Sequence, residues 1–144
     1  AMKLTSSAFE NNSAIPSKYS CDGENINPPL QISEIPENTK SLVLIVHDPD
    51  APRGDWLHWT VFNISPTNEI AENSKPGSEG INDFGDSKYD GPCPPSGTHH
   101  YVFDLYALDT ILNLQTGAKR SDIETAMQGH SLAKAELIGV YQRN

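Results

Sequence analysis

The run SLVLIVH over residues 41–47 stops abruptly at Asp48-Pro49-Asp50-Ala51-Pro52, and no other stretch of the chain constrains its fold as much. Seven residues rich in Leu, Ile and Val are too few for a buried helix, and they read as a strand covered on both faces. Two prolines directly after it cannot donate to a ladder, so the pairing must end there. The end of that strand therefore lies near the core. It carries two carboxylates, Asp48 and Asp50, in a turn stiffened by proline. Turn chemistry explains one Asp-Pro pair. Two carboxylates held beside a core are costly without partners, and that points to a site.

Further strands are expected at residues 56–64 (WLHWTVFNI), 99–108 (HHYVFDLYAL) and 132–142, with weaker ones at 4–9 and 30–35. Ser121 can cap one helix, with Glu124 completing a capping box, Ile123 and Met127 on one face, and Gly129 as the stop. Eleven prolines and ten glycines in 144 residues favour short strands and turns over a helical bundle. The expected fold is mainly β, a sandwich or barrel-like core with one or two short helices, in a single domain over residues 1–144. Residues 75–97 form an unusually long aperiodic segment with five glycines and four prolines. Phe84, Tyr89, Cys93 and the stiff Gly91-Pro92-Cys93-Pro94-Pro95 stretch argue for an ordered, functional loop.

Composition narrows the function classes. No run approaches the ~20 apolar residues of a membrane span. No basic segment leads into an apolar one, so no signal peptide is read and a cytoplasmic location is expected. Ala1 before Met2 reads as a cloning remnant, which leaves room for a trimmed leader. The formal net charge of −9 repels nucleic acid and anionic lipid surfaces. Cys21 and Cys93 are either free core thiols or one bridge in an oxidising compartment. Free thiols are expected, because nothing else points to secretion.

His58 sits within a strand, where a lone histidine is most simply a satisfied core residue. His99 and Tyr101 alternate at the start of another strand and share a face that continues into Phe103 and Leu105; His100 faces the other way. His99 and Tyr101 thus fall where a core face reaches the rim, a usual place for a pocket. Asp48, Asp50, His58 and His99 match no tight metal-binding spacing. The chain has no Gly-x-Ser-x-Gly nucleophile turn and no Gly-Lys-Ser/Thr phosphate loop. Paired carboxylates for glycoside hydrolysis lack a row of aromatic sugar platforms. Cys93 beside His99 is conceivable as a nucleophile.

Taken in order, Asp48 to Pro52, His58-Trp59, Gly91 to Pro95 and His99-His100-Tyr101 resemble the phosphatidylethanolamine-binding protein family, in its bacterial and archaeal branch often labelled Raf-kinase-inhibitor-like. Ile15-Pro16 through Tyr19, Gly23-Glu24-Asn25-Ile26 and Pro28-Pro29-Leu30 fit its N-terminal pattern. Gly129-His130 with residues 133–141 resembles its closing strand. The resemblance implies an antiparallel β-sandwich with a small pocket for phosphate, acetate or a phosphorylated headgroup. It carries the ligand-binding role to Asp48, Asp50, His58, Pro94, His99 and Tyr101. It also implies cis peptide bonds near the pocket loops, at prolines such as Pro52 and Pro94, with Trp56 and Phe84 as rim candidates. His100 replaces the family's usual arginine, so the ion pair made by that arginine should be weakened or absent. The eukaryotic members' C-terminal helix has no counterpart here, and lipid or kinase binding of their kind is not expected.

Two aspartates repel an anion, at ~4 Å by several kcal/mol in a partly wet site. They fit an anion pocket if they accept from histidines and hold an imidazolium toward the ligand, or if they receive a ligand's ammonium. The leading expectation is a small-anion binding module without cofactor or metal. Regulation of a kinase or protease through protein contact follows, and a weak hydrolase comes third. A homodimer is compatible with this reading.

Overall fold

The computed structural model describes residues 1–143. Its spine is β4 (Ser41–Asp48), whose two faces supply two cores. Leu42, Leu44 and Val46 enter one apolar cluster with Trp59, Tyr101, Phe103 and Leu105. Val43 and Ile45 enter another with Leu57, Phe62, Ile123 and Met127. This two-sided burial is what an unbroken run of Leu, Ile and Val demands. Antiparallel neighbours flank β4: β5 (Trp56–Ile64) on one side and β8 (Thr98–Leu108) on the other. The sheet continues through β9 (Ser131–Gln142) to β2 (Ser13–Ala14), and past β5 to β7 (Ser78–Glu79).

The first face packs on a three-stranded sheet of β1 (Lys3–Thr5), β3 (Leu30–Ser33) and β6 (Glu69–Ile70), which contributes Leu4, Leu30, Ile32 and Ile70. Helix α1 (Arg120–Met127) covers the second face with Ile123 and Met127. The fold is thus mainly β, as expected, with one α-helix among the described residues and a 3₁₀ turn at Ser17–Tyr19. Pairing is antiparallel except at β2, which runs parallel to β9.

Several expectations need correction. Cys21 and Cys93 are not free thiols but a disulfide, with Cα atoms 5.5 Å apart. A separation of 72 residues hides this pairing in the sequence; in the fold, Cys21 N–H donates to Pro92 O at 3.0 Å and brings the two segments together. Among the described residues no peptide bond is cis, so Pro52 and Pro94 follow trans bonds. Ser121 does not cap α1. The helix starts two residues earlier, with Lys119 at the N-cap and no side-chain cap. Strand β1 stops at Thr5, where the Ser6 hydroxyl turns to Pro29 O and accepts from Ala8 N–H.

Residues 75–97 are ordered around one side chain. Buried Asn82 donates from Nδ2 to His58 O, Lys88 O and Asp90 Oδ2, and its Oδ1 accepts from Phe84 N–H and Asp86 N–H. Gly91 passes so close to Tyr19 O that a Cβ would collide with it, and its N–H donates to Asn25 Oδ1 at 2.8 Å. Proline and glycine thus serve a fixed path here rather than a mobile one. Among the described residues no helix is long and apolar enough to cross a membrane.

Candidate functional site

The register that pairs His47 with Val102 brings Asp48, at the end of β4, beside Tyr101 on β8. His99, two residues before Tyr101, shares its face, and its ring stacks at 23° on the phenol with centroids 6.5 Å apart. His99 Nδ1–H donates to Asp48 Oδ2 at 2.6 Å, while Asp48 Oδ1 accepts from Asp50 N–H at 2.8 Å. Both oxygens of this buried carboxylate are therefore engaged. The His99 bond leaves Nε2 as that ring's remaining polar atom.

His58 arrives by a different device. On β5, Trp59 pairs with Val46 and Leu57 with His47, so His58 is the extra residue of a β-bulge. A bulge breaks alternation and re-aims a side chain. It lets the His58 ring meet Tyr101 edge-on, 5.2 Å between centroids, while neighbouring Trp59 still enters the core on the same side of the sheet. The carbonyl freed by the bulge accepts from Asn82 Nδ2. His58 Nδ1–H donates to Asp90 O at 2.7 Å. Burial lowers the imidazole pKa, and the nearby carboxylates and carbonyls offset this only in part. His58 is accordingly neutral near pH ~7, with a bare Nε2.

These groups surround a cavity of about 270 Å³ that also has Pro94 in its wall. Trp56 and Phe84 form its aromatic lip, 5.5 Å apart and edge to face, and Phe84 is 46% exposed. Tyr101 is 1% exposed, yet its hydroxyl has no hydrogen-bond partner among the described residues. Burial first, then the charge of Asp48, pushes the phenol pKa far above its usual value, so the hydroxyl keeps its proton.

Of the six residues singled out in the sequence, five line the cavity and Asp50 does not. Asp50 lies outside, where its Oδ2 accepts from His100 N–H at 2.8 Å and His100 Nδ1–H at 2.6 Å. Those hydrogen bonds hold its carboxyl below the usual range. Histidine at position 100 thus still makes a partner for Asp50, and the pair fastens the turn that carries Asp48. Sequence reasoning missed Arg53, exposed on that turn and part of the cavity mouth, and Asn82, which holds the loop. It also weighed Cys93 as a nucleophile. The disulfide removes that thiol, and Cys93 instead forms part of the wall.

The family model described as phosphatidylethanolamine-binding protein matches residues 5–142. A UPF0098 protein of Methanothermobacter thermautotrophicus is 49% identical over 99% of each chain. One from Pyrococcus horikoshii is 52% identical, over 96% of this chain and 75% of its own. Among solved structures, a phosphatidylethanolamine-binding protein homologue from Chlamydia trachomatis superposes with a TM-score of 0.97 at 45% identity, covering 100% of this chain and 99% of its own. YbcL of E. coli, described as a member of the mammalian PEBP family, superposes with a TM-score of 0.91 at 30% identity, covering 99% of both chains. The match runs through every strand that builds the pocket, and this chain belongs to the phosphatidylethanolamine-binding protein family.

Proposed function

We propose that this pocket binds a small oxyanion, phosphate-like or carboxylate, whose short apolar part lies against Trp56 and Phe84. The observation that carries the reading is the Tyr101 hydroxyl, buried in the cavity wall close to Asp48 but without a well-formed hydrogen bond. A buried donor left unpaired costs about 1–3 kcal/mol, and an anionic oxygen in the cavity would remove that cost. Asp48 does not defeat the anion, because both its oxygens face donors other than the ligand. His58 offers a lone pair at Nε2, which takes a proton from the ligand or from solvent as the anion enters. Binding is therefore coupled to proton uptake and weakens as pH rises.

Calorimetric titration with inorganic phosphate and with acetate, at about pH 6 and about pH 8, tests this. Acetate keeps a constant charge over that range, so its pH dependence reports the protein alone. Both anions are expected to bind more weakly at the higher pH, and Tyr101→Phe is expected to lose about tenfold or more in affinity. Absence of binding by either anion at both pH values would sink the proposal. A hydrolase built on the Asp/His set would have to activate water, since among the described residues neither a serine nor a free thiol lines the cavity.

A further inference from the structure

A second cavity, about 350 Å³, opens where residues 25–27 and 73–75 meet β7 and residues 88–89. It shares no lining residue with the pocket around Tyr101. Glu79 stands in its wall, placed there by the pairing of β7 with Val61 of β5. The residue is only 8% exposed. Its Oε2 accepts from Trp59 Nε1 at 2.8 Å, while Oε1 has no hydrogen-bond partner among the described residues. A carboxylate can take about four donors, so Oε1, which is not fully buried and lies on the cavity wall, has room to accept from a ligand.

The rim has the opposite charge. Lys75 and Lys88 are both exposed there. Lys88 Nζ already donates to Asp90 Oδ1 at 2.6 Å, whereas Lys75 has no ion-pair partner among the described residues. Asn25 spends its Oδ1 on Gly91 N–H, which leaves its Nδ2 as a spare donor. A simple anion entering this cavity would meet Glu79. A bare metal ion would find one carboxylate and two ammonium groups, and no cluster of three or more metal-ligating side chains exists among the described residues. Only a ligand bearing both charges matches the floor and the rim together.

We infer that this cavity binds a small zwitterion of the α-amino-acid kind, its ammonium on Glu79 Oε1 and its carboxylate toward Lys75 and the Asn25 amide. This does not rest on the anion reading of the other pocket. The test is amide-shift mapping on isotope-labelled protein, with the proteinogenic α-amino acids added singly up to millimolar concentration. At least one is expected to shift the amides of Asn25, Ser74 and Lys88 and to leave those of His99 and Tyr101 unmoved. Glu79→Gln keeps an acceptor for Trp59 and is expected to weaken that binding about tenfold or more. Lys75→Glu, a surface change that spares the fold, is expected to weaken it as well. The amine and the acid obtained by deleting one charged group from the best binder should each lose about tenfold or more. Three outcomes would overturn the inference: no amino acid shifts those amides, shifts appear only around His99, or affinity is indifferent to both substitutions.

Discussion

Tyr19, Tyr89 and Tyr141 donate their hydroxyl protons to Glu72, Tyr19 O and Asp22 respectively, whereas Tyr101 has no acceptor among the described residues. Tyr101 differs from these three in being fully buried without such a bond, which is what the proposed ligand contact rests on. Tyr101→Phe should leave thermal stability unchanged or raise it by up to about 1 kcal/mol, because it removes a buried unpaired donor. The same change should abolish most of the stabilisation that saturating phosphate confers on the wild type. Melting curves with and without phosphate read both effects together, and a large loss of stability without ligand would mark the hydroxyl as structural. His99 and Tyr101 could be placed together from strand alternation alone. His58 could not, because its orientation depends on a bulge that period-two reasoning does not contain. That Asp50 lies outside the cavity lining was hidden for a related reason. Proline spacing shows that a turn is rigid but not which of its carboxylates faces inward.

At the scale of elements, the strap of residues 88–95 is tied by Asn82, by Asn25, by His58 through Asp90 O and by the Cys21–Cys93 disulfide, among other bonds. Its composition announced a fixed path, but the partners that fix it lie far off in sequence. Reduction, or Cys21→Ser with Cys93→Ser, opens a link across 72 residues, and the chain-entropy view puts its contribution on the order of 4 kcal/mol. Denaturant unfolding with and without reductant should show a loss of roughly 2–5 kcal/mol. Phosphate affinity should fall with it, since Cys93 and Pro94 form pocket wall. A second tie, on the other face of the sheet, is sensitive to pH. His47 donates to Asp55 at 2.7 Å and to Asp104 at 2.9 Å, and Arg120 of α1 pairs with Asp55 at 2.9 Å. Burial alone would pull the His47 pKa down, but the hydrogen bonds to Asp104 and Asp55 outweigh it, against a smaller opposing push from Arg120, and the net shift is upward. The folded state then holds this proton more tightly than the unfolded one. Its contribution is complete below the unfolded value of about 6.5 and is lost as pH rises through the higher folded value. Urea midpoints from about pH 5 to about pH 9 should therefore converge for wild type and His47→Gln as pH rises. The difference between the two proteins isolates His47 from His58, whose lowered pKa acts with the opposite sign. A constant difference across that range would refute the assignment.

For the whole molecule, the motifs at residues 48–52, 58–59 and 99–101 were legible because the pairing of β5, β4 and β8 gathers them toward one end of the sheet. The second cavity was not legible, since its wall combines short, unremarkable stretches that meet only through loop packing. Charge is the property that acts across the full surface. Nineteen acidic residues against ten basic ones give a formal net charge of −9, so an anion approaches the pocket through a repulsive field. Within the pocket the proposed contacts come from a phenol, imidazoles and the exposed Arg53, not from a cradle of lysines. Raising ionic strength shortens the Debye length from about 30 Å at ~0.01 M to about 8 Å at ~0.15 M. The field is screened over that interval, while contacts inside a desolvated wall are screened far less. Acetate affinity should accordingly hold steady or rise as sodium chloride is added. A fall of more than about threefold would assign most of the affinity to Arg53, the exposed charge at the mouth, and Arg53→Gln should then flatten the salt dependence while Tyr101→Phe leaves it steep.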